Sequence, residues 1–143
     1  MKIRLILLGK MRRAEARALF EDYTARIRRY AEIEINEMRD GAPAALRKLK
    51  IEPGAASVLL DAGGKQWTSA QFAKWIGELR DRGTREIVFL CGDAEGFPEE
   101  LRGGAGQKLS LSTFTMPHEF ARVVIAEQIY RAFAILAGHP YPK

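Results

Sequence analysis

Hydrophobic and polar positions fall in blocks along this chain, and their spacing changes from block to block. Lys2 to Leu8 (KIRLILL) is nearly continuous in apolar residues, as a buried strand requires. From Arg13 to Tyr30 the apolar positions Ala16, Leu19, Phe20, Tyr23 and Ile27 recur at spacings of three and four, which predicts a helix with these residues on its inner face. Ala31 to Met38 then alternates, with Ile33, Ile35 and Glu37 facing opposite to Glu32, Glu34 and Asn36, the pattern of a half-exposed edge strand. Pro43 to Lys50 is compatible with a short helix. Ser57 to Asp61 (SVLLD) and Glu86 to Cys91 (EIVFLC) read as buried strands. Between them Thr68 caps a helix through Gln71, Phe72, Trp75, Ile76 and Leu79 that ends near Gly83. Glu119 to Leu136 forms one long apolar helix. Its residues Phe120, Val123, Val124, Ile129, Phe133 and Ile135 wrap so widely that a second protomer is expected to cover part of them.

Strands that alternate with helices define an α/β architecture around a parallel sheet. At 143 residues the chain makes one domain, residues 1–143, with no repeat, low-complexity segment or linker. Turn-forming residues at Ala62-Gly63-Gly64 and from Gly92 to Gly96 follow the carboxyl ends of two strands, the place where open α/β sheets bind ligands, so both turns are expected to line one crevice. A third segment, Leu109 to Met116, is rich in Ser and Thr and stands beside the apolar helix. It offers backbone amides, carbonyls and hydroxyls to a small polar ligand.

Several function classes are excluded. There is no GxGxxG, GxxxxGK[ST] or GxSxG motif, and no His or Cys cluster with metal-ligand spacing, so no metal is expected. The apolar runs, such as Leu5 to Leu8 and Val123 to Ala126, are far shorter than the ~20 residues of a membrane span, and Met1-Lys2 leads straight into a strand; a cytoplasmic protein is expected. The single cysteine, Cys91, reads as a small buried strand residue.

Charge adds one asymmetry. The net charge of +5 resides in the first half, where residues 1–50 hold 13 Lys and Arg against 7 Asp and Glu. Lys10, Arg12, Arg13 and Arg17 cluster at one end of the first helix and Arg26, Arg28 and Arg29 at the other. Such clusters suit phosphate contact or a solvated surface equally well.

The segments Leu60-Asp61, FLCGDAEGF (Phe89 to Phe97) and LSLSTFTMPHEFARVVIAEQIYRAFAILAGHPY (Leu109 to Tyr141) closely resemble the RlmH family of SPOUT-class methyltransferases, and the likeness extends to the KIRLILLGK start. The resemblance implies a mostly parallel sheet flanked by helices with a C-terminal trefoil knot, an exception to the rule against threaded chains. It implies a homodimer that transfers a methyl group from S-adenosylmethionine to N3 of a pseudouridine in large-subunit ribosomal RNA. The match places the cofactor against Leu60, Gly92 and the loop Leu111, Ser112, Thr113, Phe114, Thr115 and Met116. These residue types suit such a ligand. Leu60 can cover an adenine, Gly92 brings no Cβ, and a loop can lend backbone groups that a strand would use in its ladder.

The N3 imide is a weak nucleophile until its proton leaves, so alignment and proton handling are the enzyme's main work. His118 is the first candidate for that proton. Arg122, one turn further on, is a candidate phosphate contact, and His139 and Tyr141 are candidates for holding the target base. The chain departs from the family pattern at Asp93, where relatives commonly carry a second glycine, at Pro142, where they often carry His, and in a shorter Arg39 to Gly54 segment. A ribosome-binding protein that has lost catalysis, and a methyltransferase of another RNA, remain as alternatives. An assembled ribosome is the expected substrate form.

Overall fold

The computed structural model describes residues 1–38, 51–92 and 106–141. Among them, five strands form one parallel sheet: β1 (Lys2–Leu8), β2 (Glu32–Met38), β3 (Ala56–Lys65), β4 (Glu86–Cys91) and β5 (Gln107–Leu109), in the order β2-β1-β4-β3-β5. The strands β1 and β4, with apolar neighbours on both sides, lie inside the sheet. The alternating β2 lies at its edge, as the charged alternation requires.

Among the described residues three helices accompany the strands: α1 (Ala14–Ile27), α2 (Ser69–Asp81) and α3 (His118–Leu136). The units β1-α1-β2 and β3-α2-β4 step in the same direction across the sheet, so right-handed crossovers place α1 and α2 on one face. α3 runs between them. Its Tyr130 and Phe133 meet Tyr23 and Tyr30 beside α1, and on its other flank Ser69 Oγ donates to Gln128 Oε1 at 2.6 Å. Gly77 of α2 lets Leu136 approach; a Cβ there would stand 2.9 Å from Leu136 Cδ2. The core on this face joins Ile3, Leu5 and Leu7 of β1 to Ile87 and Phe89 of β4 and to Ile125, Ile129 and Phe133 of α3. Each such side chain contributes roughly 1.5–3 kcal/mol by leaving water. The opposite face carries a smaller cluster of Ile6, Leu8, Leu59, Val88 and Leu90.

The sequence pattern located these elements closely and misjudged some details. Thr68 caps α2 in a full capping box with Gln71, and Gly83, at φ +81, ends it. On α1 the inner face is Ala16, Phe20, Thr24 and Ile27, while Leu19 points outward and is half exposed. Thr24 can take an inner position because its hydroxyl donates back to the Glu21 carbonyl at 3.1 Å. Ala62-Gly63-Gly64 is not a turn: β3 continues through it to Lys65, with an irregularity between Leu60 and Lys65, both of which register with Leu109. Gly64 makes this possible, since a Cβ there would lie 2.5 Å from the Lys108 carbonyl carbon. The breadth of the apolar surface of α3 is largely taken up within the protomer, where Ile129 and Phe133 are core; Phe120 and Ile135 remain exposed. The expected helix at Pro43 to Lys50, the turn residues beyond Gly92, including Asp93, and Pro142 lie outside the described residues, as does the rest of segment 93–105.

Candidate functional site

Three strand ends, one loop and one helix start converge at the carboxyl edge of the sheet. There they enclose a cavity of about 260 Å³ lined by Leu60, Asp61 and Ala62 from β3, Cys91 and Gly92 from the end of β4, and Leu109 from β5. The loop Leu111 to Met116 and residues His118 and Ala121 of α3 complete the wall. All of the residues expected to hold a cofactor, Leu60, Gly92, Leu111, Ser112, Thr113, Phe114, Thr115 and Met116, border this one space, and His118 borders it too. Ala62 and Leu109 lie in segments expected to line this crevice and Asp61 and Cys91 at the strand ends before them, whereas Ala121 was not singled out from the sequence. Asp61 was legible in principle, because it ends the apolar run SVLLD at the carboxyl edge where ligands bind.

The loop is held by its own polar groups. Ser110 N–H donates to the Lys65 carbonyl at 2.8 Å and its hydroxyl to the Ser112 carbonyl at 3.1 Å, while Ser112 Oγ accepts from Phe114 N–H at 2.9 Å. The first of these bonds ties the loop to the irregular end of β3. Phe114 is 84 % exposed at the loop's tip. Pro117 then starts α3, supplying a fixed φ where an amide hydrogen would have no partner. The Cys91 thiol is fully buried in the cavity wall, and burial pushes its pKa up to about 12, so it is an inert lining group.

Arg122 corrects the expectation of a phosphate contact. It is completely buried: Nη1 donates to the Gly9 carbonyl at 3.0 Å, and Nη2 donates to the Leu8 carbonyl and lies 3.5 Å from that of Gly92. A guanidinium taken from water demands such acceptors, and here they are the carbonyls ending β1 and β4. Arg122 thus fastens α3 to the strand ends that shape the cavity. Glu119, also buried, accepts the backbone N–H groups of Arg12 and Arg13 at 2.9 and 3.0 Å.

His139 and Tyr141 do not join His118. Tyr141 lies against α3 further along, its ring edge-on to Tyr130 at 4.7 Å and under the Arg131 guanidinium at 4.7 Å, with its hydroxyl donating to Glu127 Oε2 at 3.3 Å. Burial, followed by the hydrogen bond with Tyr23, raises the Tyr141 pKa, which keeps the phenol protonated. His139 is exposed beside it.

The basic residues divide into two kinds. Arg17 grips Glu37 through two bonds of 3.0 Å and Arg26 pairs with Asp22, so both serve the fold. Lys10, Arg12, Arg13, Arg28 and Arg29 are exposed and make no ion pair among the described residues. Also among the described residues, no group of acidic, His or Cys side chains is arranged to hold a metal, and no helix is long and apolar enough to cross a membrane.

A parallel sheet with a cavity at its carboxyl edge, walled by a Ser/Thr-rich loop and the start of a C-terminal helix, is the arrangement of a SPOUT methyltransferase. The chain belongs to that family: residues 1–142 match the family described as "Predicted SPOUT methyltransferase". It is 40% identical over 144 residues to the ribosomal RNA large subunit methyltransferase H of Koribacter versatilis, covering 99% of this chain and 97% of that protein. It is 42% identical over 151 residues to the protein of the same name from Trichlorobacter lovleyi, covering 99% of each. A probable methylase family protein from Haemophilus influenzae Rd KW20 shares the fold, with a TM-score of 0.52 at 9% identity over 95% of this chain and 66% of that one.

Proposed function

We propose that this protein is an S-adenosylmethionine-dependent methyltransferase that modifies N3 of a pseudouridine in large-subunit ribosomal RNA, acting as a homodimer on the assembled ribosome in the cytoplasm. The observation that carries this reading is the convergence of Leu60, Gly92, Leu111 to Met116 and His118 on one cavity in a chain about 40% identical, end to end, to proteins named for that class of RNA.

The cavity suits the cofactor. Leu60, Leu109, Leu111 and Met116 offer apolar surface to an adenine, the loop offers backbone donors and acceptors to its edge, and Gly92 presents backbone without a Cβ. Asp61 adds a carboxylate able to accept from ribose hydroxyls. When bound, S-adenosylmethionine supplies a methyl group already activated on a sulfonium sulfur. What remains for the protein is to align the base with that methyl and to take up the N3 proton. His118, half-buried in the wall at the start of α3, is the residue proposed to accept it. Arg122 acts at one remove, by fixing the strand ends behind Gly92.

The tail bears on the dimer. His139 and Tyr141 do not border the cavity that His118 lines, since Tyr141 is held on Glu127, Tyr130 and Arg131 further along α3, so their proposed role at the base is assigned to the tail of a second protomer. The exposed Phe120 and Ile135 near the two ends of α3 supply apolar surface for that contact. Assays with tritiated S-adenosylmethionine on ribosomes lacking the modification test the reading: methyl transfer to large-subunit RNA supports it, and binding without transfer would favour the non-catalytic alternative.

A further inference from the structure

One segment near the cavity is built unlike an ordinary surface loop. Between β1 and α1, residues 9–13 have most of their backbone polar groups fastened, those of Lys10 excepted. Gly9, at φ +81, donates to the Met38 carbonyl at 2.6 Å and its own carbonyl accepts from Arg122 at 3.0 Å. Met11 N–H lies 3.4 Å from Glu37 Oε2, and the Met11 carbonyl accepts from Arg17 Nη2 at 2.9 Å. The amides of Arg12 and Arg13 both donate to Glu119 Oε1. Four charged side chains, Arg17, Glu37, Glu119 and Arg122, therefore hold this backbone, three of them from distant parts of the chain.

The side chains on the same segment are treated in the opposite way. Met11 is buried as an anchor, whereas Lys10, Arg12 and Arg13 are exposed and without ion pairs among the described residues. Arg13 lies over the Phe120 ring at 5.4 Å, which directs it along the first turn of α3. A rigid backbone with three outward cations, held against the first turn of α3 by Glu119, has its ordering cost met before any anion arrives. α1 uses the same contact: Arg13 occupies its N-cap position without a side-chain cap, and the carboxylate of Glu119, 106 residues further along, accepts the N-cap amide itself and sets a negative charge at the helix start.

Resting on the RNA-methyltransferase reading, we infer that Glu119 is a positioning residue for RNA: by holding the Arg12 and Arg13 amides it fixes Lys10, Arg12 and Arg13 as a preorganised phosphate platform against the first turn of α3, the turn that brings His118 to the cavity. Its contribution is to RNA affinity, with the cofactor cavity left intact.

Glu119→Ala and Glu119→Gln separate this role from a general structural one. Ribosomes lacking the modification serve as the RNA probe, S-adenosylmethionine affinity is measured by calorimetry, and amide exchange at Arg12 and Arg13 reports the cap itself. The Ala variant is expected to exchange faster at those two amides and to raise KM for ribosomes about tenfold, the equivalent of one charge-assisted hydrogen bond. Its cofactor affinity is expected to stay within about twofold, below the ~1.4 kcal/mol that a tenfold change represents. The Gln variant keeps an acceptor oxygen at the same place and is expected to recover most of the KM. An unchanged KM in Glu119→Ala, or an equal loss of cofactor affinity, overturns the inference. A wild-type protein that neither binds nor methylates ribosomes overturns the underlying reading and this inference with it. Replacing Lys10, Arg12 and Arg13 together by Gln must also flatten the salt dependence of ribosome binding by about one counterion per contact; an unaltered slope means the segment is merely solvated and again refutes the platform.

Discussion

His118 opens α3, whereas Tyr141 folds back along the same helix onto Glu127, Tyr130 and Arg131, the nearest of which is nine residues, about 13 Å of helix, beyond His118. Held there, Tyr141 does not border the cavity that His118 lines. In the proposed homodimer a second protomer covers the exposed Phe120 and Ile135 of α3 and supplies its tail to that cavity.

Light scattering at micromolar concentration is therefore expected to report a dimer, about twice the 16.0 kDa of the chain. Phe120→Glu with Ile135→Glu should shift the protein toward the monomer, because two carboxylates would have to be desolvated at the interface. A protein that runs as a monomer without any substitution removes the second protomer from the site.

At the cavity, Gly92→Val is expected to weaken S-adenosylmethionine binding at least tenfold by setting a branched side chain in its wall. Calorimetry on a variant with an unaltered thermal midpoint decides the matter, and undiminished affinity would take Gly92 out of the site.

Arg122→Met should reduce stability by roughly 3 kcal/mol, since buried carbonyls at the ends of β1 and β4 lose their donor. Cofactor affinity should fall with it, through the displaced Gly92 carbonyl. Urea unfolding alongside cofactor titration checks both; a variant as stable as wild type would show that Arg122 is not the fastener described.

Gly64→Val tests the link between β3 and the cofactor loop. The added Cβ meets the Lys108 backbone, so a loss of about 1–3 kcal/mol is expected from overpacking. Because Ser110 hangs from the Lys65 carbonyl, the loop should also exchange its amides faster. Unchanged protection at Ser110 would separate the two.

Acid stability has a specific contributor. The Arg17 guanidinium, by hydrogen bond, holds the Glu37 carboxyl below its ordinary value, despite some opposing desolvation. A depressed folded-state value means that the contribution is present at neutral pH and is lost as pH falls below about 4.5 through that lower value. Arg17 is 37 % exposed, so solvent screening limits the effect to on the order of 1 kcal/mol. Glu37→Gln should lower the urea midpoint at pH 7 and flatten its decline toward pH 3; an equally steep decline would assign it to other carboxylates.

The sequence carried the fold where hydrophobic spacing alone dictates it. KIRLILL and EIVFLC can only be interior strands, and both lie where the pattern put them. It misled at Leu19 and Thr24, because a threonine that satisfies its own hydroxyl can occupy an inner helical position that periodicity assigns to leucine. The cavity lining was legible through the Ser/Thr-rich loop, the glycine after a strand and the family resemblance. Arg122 and Glu119 were not legible as buried ties. Their partners, at Leu8, Gly9, Arg12 and Arg13, lie more than 100 residues away, and no local pattern marks a charge as buried until the strand ends meet the start of α3.

The most direct measurement of the central claim is transfer of tritiated methyl from S-adenosylmethionine to assembled ribosomes lacking the modification, with mass mapping of the recovered large-subunit RNA. The expected result is one methyl group on one pseudouridine, at N3, abolished by Gly92→Val and strongly reduced by His118→Ala. Methylation confined to another RNA, or cofactor binding without any transfer, would contradict the account.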